Sequence, residues 1–252
     1  MSILKNSMHP IYAQLLNAKE RKEPLMAVLI DPEDFPAHDT EKIINLINQS
    51  PATHIFVGGS EVREGATHSL VKLIRPFTSL PILIFPGDEQ QITPEADALL
   101  FLILLSGRNP EYLIEKQVRS AAILRKNPME TVSTGYILVD GGNETAVQRK
   151  SRTQPISMQH HSLIADTALA GELLGNKLMY LEAGSGASYP VSKEVIKSVR
   201  DSISIPLIVG GGIKTVQQMH DAYTSGADML VIGTAFEKDP TFFKALNHLI
   251  TS

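Results

Sequence analysis

The amino-acid sequence predicts one α/β domain over residues 1–252, a parallel (β/α)8 barrel whose third helix is shortened or replaced by an irregular segment. Three observations carry this expectation. Short, continuous runs of Val, Ile and Leu recur eight times, separated by segments with helical spacing. The 252-residue length suits one such barrel, and no linker interrupts the alternation. The first strand-to-helix turn, Asp31-Pro32-Glu33-Asp34, holds none of the glycines that usually open a doubly wound sheet.

The predicted strands are Met26–Asp31, Thr53–Gly58, Pro81–Phe85, Asp97–Leu105, Thr134–Asp140, Leu178–Ala183, Pro206–Gly210 and Asp228–Gly233. Each is an uninterrupted apolar run rather than an alternating one, as expected of strands covered by helices on one face and packed in a barrel on the other. Helical spacing falls in Glu41–Gln49, Arg63–Arg75, Pro110–Lys126, Ser162–Gly175, Ser192–Ser202, Thr215–Ser225 and Pro240–Leu249. Pro110, Pro190 and Pro240 lie close to helix starts, where a missing N–H costs nothing.

Two connections break the pattern. Between the third and fourth strands only residues 86–96, PGDEQQITPEA, are available, and Pro86, Gly87 and Pro94 discourage a helix. Such a segment either closes the wall with a short helical turn or leaves a groove that admits something long and apolar. After the fifth strand, residues 141–161 are polar, lack apolar periodicity and carry Arg149, Lys150 and Arg152, which predicts a mobile loop over an active site.

Composition narrows the class. A hydrophobic fraction of 43% and a charged fraction of 20% fit a soluble globular protein with a sizeable core. The net charge of −4 offers no basic footprint for nucleic acid. The absence of cysteine removes disulfides, thiolate metal sites and thiol nucleophiles. The start of the chain, MSILKNSMHPIYAQLL, has no apolar signal region, and the most apolar run, Ala98–Leu105, falls far short of the roughly 20 residues of a membrane span. A cytoplasmic location is expected.

In such a barrel the chemistry collects at the C-terminal strand ends. Gly210-Gly211-Gly212-Ile213-Lys214 after the seventh strand and Gly233-Thr234-Ala235 after the eighth expose backbone N–H groups before helix N-termini, a phosphate site in this architecture. Asp31 ends the first strand and serves as a cation ligand, a base or a helix cap. Tyr180 and Glu182, two residues apart, share one face of the sixth strand and reach the pocket if that face is the interior. No strand end supplies a lysine for Schiff-base chemistry, and no cysteine is available for a thioimidate.

The stretches LIDPEDF (29–35), VGGS (57–60), LLSGRNP (104–110), YLEAGSGA (180–187), VGGGI (209–213) and VIGTAFE (231–237) together resemble the geranylgeranylglyceryl phosphate synthase family of PcrB-like prenyltransferases, in its second group. YLEAGSGA is the specific stretch; the glycine runs alone are generic. The resemblance covers essentially the whole chain and implies a TIM-barrel prenyltransferase of lipid biosynthesis. Such an enzyme joins the C3 hydroxyl of sn-glycerol 1-phosphate to geranylgeranyl diphosphate and releases diphosphate. It implies Mg2+ at Asp31 and Ser60. It implies glycerol-phosphate contacts at Tyr180, Leu181, Glu182, Ala183, Gly184, Ser185, Gly186, Gly211, Gly212, Gly233 and Thr234, with Glu182 and Tyr180 catalytic. Arg108 and Asn109 are diphosphate neighbours on this reading. It further implies a homo-oligomer, dimer or hexamer, with transient contact at a membrane surface for product release. Two rivals remain at this point: a phosphosugar isomerase or lyase, which needs neither groove nor metal, and a ligand-binding barrel without turnover.

Overall fold

The computed structural model describes residues 10–233. Its eight parallel strands close in chain order into one barrel: β1 (Leu25–Ile30), β2 (His54–Val57), β3 (Ile82–Ile84), β4 (Ala98–Leu104), β5 (Glu130–Leu138), β6 (Leu178–Glu182), β7 (Leu207–Gly210) and β8 (Met229–Ile232). The expected strands are all present. β5 starts four residues earlier than its apolar run, because Glu130–Ser133 pair with the lower half of β4. The helices are α1 (Pro10–Arg21), α2 (Thr40–Asn48), α3 (Ala66–Ile74), α4 (Lys116–Lys126), α5 (Ala146–Ser151), α6 (His161–Leu173), α7 (Lys193–Ser202) and α8 (Val216–Thr224). The helix expected at Pro240–Leu249 lies outside the described residues. Among the described residues no helix is long and apolar enough to cross a membrane.

Two apolar clusters follow from the strand pleat. Side chains such as Val28, Ile55, Ile82 and Leu181 point out and pack under the helices. Ala27, Phe56, Leu83, Leu100, Tyr136, Tyr180, Ile208 and Val231 point in and fill the barrel. At about 1.5–3 kcal/mol per fully buried large apolar side chain, these two layers supply most of the driving force for closure.

α1 was not anticipated. Its buried residues Ile11, Leu15 and Ala18 follow helical spacing, and Ile11 and Leu15 join the interior cluster. The carboxylate of Glu130 accepts from Ile11 N–H at 3.0 Å and Tyr12 N–H at 2.8 Å, which satisfies two of the free N–H groups at the helix start. Glu130 opens β5 and Leu178 opens β6, so α1 lies at the N-terminal pole of the barrel.

The third helix is replaced. Only one 3-10 turn, Glu89–Gln91, stands between β3 and β4. β3 and β4 also pair through just two residues, Leu83↔Ala98 and Ile84↔Leu99. β4 then runs on to Leu104 with no β3 partner, so the barrel wall is slit above Leu99. α4 covers the slit, entered through one turn of π-helix at Glu111–Glu115. Residues 141–161 are more ordered in pattern than their sequence suggests: they contain α5, whose Thr145 hydroxyl caps Gln148 N–H, and Ile156 bridges to Val139 beside β5.

Candidate active site

One cavity of about 1010 Å3 occupies the C-terminal mouth of the barrel and continues through the slit. It is bordered by Leu100, Leu102 and Leu104 and also by Leu99 and Phe101, which point to opposite faces of β4, so it passes from the interior to the outer face of the strand. Of the two readings of residues 86–96, the groove is the one realised. Phe85, Ile92, Tyr112 and Val147 add apolar surface, and the polar groups gather at the mouth.

Tyr180 and Glu182 both face inward and border the cavity. Glu182 is almost wholly buried, and Gly184 N–H donates to its Oε1 at 2.6 Å. Burial pushes its carboxyl up to about 7, offset in part by the Gly184 N–H and the nearby Tyr180 hydroxyl. Glu182 is therefore poised between acid and carboxylate near neutral pH. The Tyr180 hydroxyl is fully buried and has no well-aligned hydrogen-bond partner among the described residues. Burial, with the Glu182 carboxylate beside it, holds this phenol well above its ordinary range.

Glycine is required where β7 meets this pair. Gly210 is the register partner of Glu182, and a β-carbon there would lie 2.5 Å from Tyr180 Oη. Gly211 adopts φ +82° and Gly212 φ +70°. Gly184, Ser185, Gly186, Gly211, Gly212 and Gly233 all border the cavity, on adjacent loops. Leu181 points outward into the core under the helices, and Ala183 is buried there too, so these two support the loop rather than line it. Thr234 lies outside the described residues.

Asp31 and Ser60 border the opposite side of the mouth. Asp31 is half-buried, and its Oδ1 accepts from Glu33 N–H at 2.9 Å. No helix starts behind Asp31, so the anticipated cap is a side-chain turn over Asp31–Asp34 instead, and it leaves Oδ2 directed at Gly59: a β-carbon on Gly59 would lie 2.3 Å from it. Burial raises the Asp31 carboxyl, helped by nearby Asp34 and Glu33 and opposed by the Glu33 N–H. No group of three His, Cys, Asp or Glu side chains suited to a metal occurs among the described residues. A carboxylate and a hydroxyl bordering one side of the mouth are donors of the kind Mg2+ takes, since it is commonly held by one or two carboxylates with substrate phosphates and water completing its shell.

Several bordering residues went unnoticed in the sequence. Phe85, Tyr136 and Tyr180 form an aromatic floor, with centroids 5.2 Å apart for Phe85–Tyr180 and 5.4 Å for Tyr136–Tyr180. Tyr136 pairs in register with Tyr180, a relation the inward spacing Thr134-Tyr136-Leu138 would have disclosed. Arg108 and Asn109 do not border the cavity; their side chains donate to backbone oxygens of Leu105, Gly107 and Ser151. The cations that do border it are Lys116, Arg149, Lys150 and Lys214. Lys150 reaches across the mouth to Glu61, 3.5 Å away, and Lys116 donates to Gly87 O at 2.7 Å and Asp88 Oδ2 at 2.9 Å.

Comparison with known proteins agrees with this arrangement. The PcrB family model matches residues 18–250. A geranylgeranylglyceryl phosphate synthase of Flavobacterium johnsoniae is 52% identical over 233 residues, which is 92% of this chain and 96% of that one. One from Thermococcus gammatolerans is 39% identical over 235 residues, 93% of this chain and 92% of that one. Among solved structures, (S)-3-O-geranylgeranylglyceryl phosphate synthase from Thermoplasma acidophilum, in complex with its substrate sn-glycerol-1-phosphate, superposes with a TM-score of 0.89 at 31% identity, covering 97% of this chain and 98% of that one.

Proposed function

Because this chain belongs to the PcrB family, with relatives named geranylgeranylglyceryl phosphate synthase across almost its whole length, we propose that it is the prenyltransferase that couples sn-glycerol 1-phosphate to a long-chain prenyl diphosphate. The observation that carries the reading is the shape of this cavity: a glycine-rich polar mouth continuous with an apolar slit through the wall. A phosphosugar isomerase has no use for that slit.

The substrates divide between its two ends. The phosphate of glycerol 1-phosphate lies against the loops of Gly184–Gly186 and Gly211–Gly212 and beside Gly233, where backbone N–H groups favour an anion. The prenyl tail runs over Leu100, Leu102 and Phe101 in the slit, with its diphosphate toward Asp31 and Ser60. Asp31 and Ser60 would hold Mg2+, whose chemistry is to neutralise charge growing on the departing diphosphate. Lys116, Arg149 and Lys150 add positive charge around the same region.

In the reaction the C3 oxygen of glycerol 1-phosphate bonds to C1 of the prenyl donor as the bond from C1 to the diphosphate oxygen breaks. Glu182 takes the hydroxyl proton, a role matched by a carboxyl held near 7. Tyr180, whose hydroxyl lacks a good protein partner, orients the glycerol hydroxyls. Holding both partners in one cavity removes the entropic cost of their encounter from the chemical step. The enzyme works in the cytoplasm as a homo-oligomer, dimer or hexamer, and touches the membrane surface only to release product.

The test is a mass-spectrometric assay with sn-glycerol 1-phosphate, Mg2+ and prenyl diphosphates of graded length. The expected product is the phosphoglyceryl ether with one equivalent of diphosphate. Absence of ether with every donor overturns the reading.

A further inference from the structure

Residues 86–92 do more than stand in for a missing helix. Gln91, at the end of the 3-10 turn, is almost completely buried yet does not border the cavity. Its Nε2 donates to Gly59 O at 2.8 Å, and its Oε1 accepts from Gly59 N–H at 3.4 Å. The last ladder bond between β2 and the third connection is Phe85 N–H to Val57 O. Beyond it the primary amide of Gln91 continues the pairing, taking both hydrogen-bonding groups of Gly59 as a neighbouring strand would.

Two glycines make room for this side chain. A β-carbon on Gly58 would lie 3.2 Å from Gln91 Oε1, one on Gly87 would lie 3.2 Å from Gln91 Nε2, and the latter would also meet Gly59 O at 2.4 Å. The segment is anchored from its other side as well. Lys116 of α4 holds Gly87 O and Asp88, and Arg119 of α4 pairs with Glu89. A buried amide costs free energy unless it is bonded; Gln91 is bonded through both groups, and an apolar side chain would strip the Gly59 N–H and C=O of these partners. What Gln91 adds is direction: it fixes the Gly59 peptide, which lies against the Asp31 carboxylate and precedes Ser60.

We propose that Gln91 is a positioning residue for the metal-and-diphosphate side of the site, setting the geometry of Asp31 and Ser60 through the Gly59 peptide. The inference rests on the prenyltransferase reading above. It adds that the connection lining the prenyl slit is the same piece of chain that holds the head-group side in place.

The test uses the full-length chain with Gln91→Met, which keeps side-chain length and removes both hydrogen bonds. Mn2+ binding in the presence of inorganic diphosphate, read by electron paramagnetic resonance, is expected to weaken about 10-fold, the scale at which residues orienting metal ligands act. KM for the prenyl diphosphate should rise with it, while the affinity for glycerol 1-phosphate without metal stays unchanged. If the Met variant does not fold, Gln91→Glu carries the same test, since it retains an oxygen for the Gly59 N–H and loses the donor. Unchanged Mn2+ affinity, or equal weakening of both substrates, overturns the inference and leaves the prenyltransferase reading intact. A wild-type chain that forms no ether overturns both.

Discussion

Glu182 and Gly211 meet so closely at the head of β6 and β7 that no side chain fits between them: a β-carbon on Gly211 would lie 2.3 Å from Glu182 Oε1. The residue also sits at φ +82°, where an L side chain is strained. Gly211→Ala is therefore expected to cost about 1–3 kcal/mol in stability. It should also raise KM for glycerol 1-phosphate at least as much as KM for the prenyl donor. Thermal unfolding and a two-substrate kinetic series measure both.

Glu182→Gln removes the proton acceptor and keeps the shape. Turnover is expected to fall by about 100-fold or more, with glycerol 1-phosphate binding preserved. A variant with near-normal kcat would assign the proton to another group.

The same substitution has a signature in the free protein. The carboxyl rises from its ordinary 4.5 to about 7 on folding, so between those pH values the folded chain binds one proton that the unfolded chain has lost. Stability contributed at this site is therefore present below pH 4.5 and lost as pH rises through 7. The stability of Glu182→Gln relative to wild type should increase from pH 5 to pH 8, by up to about 3 kcal/mol at roughly 1.4 kcal/mol per unit. Paired denaturant titrations at the two pH values check it.

Tyr180→Phe deletes a buried hydroxyl without a good protein partner. The hydroxyl lacks an aligned acceptor but favours the Glu182 carboxylate beside it, and the two effects oppose, so the ligand-free variant should differ from wild type by no more than about 1 kcal/mol. Its KM for glycerol 1-phosphate should rise. A stability loss without a kinetic change would place the hydroxyl in the core rather than at the substrate.

Leu102→Trp places bulk in the slit beside β4. Turnover of a twenty-carbon donor is expected to collapse, while a ten-carbon donor still reacts. A competition assay with both donors reads the ratio directly, and equal loss for both would mean that the tail takes another route.

The outline of the barrel was legible because buried parallel strands are written as unbroken apolar runs. α1 was not, since Ile11 and Leu15 are too few to mark a helix, and the carboxylate that captures its start stands far along the chain at Glu130. The site divides in the same way. Tyr180, Glu182 and Gly184–Gly186 are neighbours in sequence, so strand pleat and turn chemistry bring them forward. Gln91 and Lys116 are held by Gly59 and by Gly87–Asp88, contacts that folding creates between distant segments. Arg108 and Asn109 stand in the loop after β4, and their sequence does not say that their side chains turn to the backbone oxygens of Leu105, Gly107 and Ser151.

The two-residue joint between β3 and β4 also bears on how the ring comes apart. Every other neighbouring pair is tied through at least three residues, and β4 with β5 through seven. Cooperative closure is only as strong as its thinnest link, and sub-global opening begins where the fewest bonds must break. Amide protons flanking the joint should thus exchange ahead of those in β5 and β6, and a tail seated in the slit should slow them. The ligand would act as a clasp on the ring that binds it.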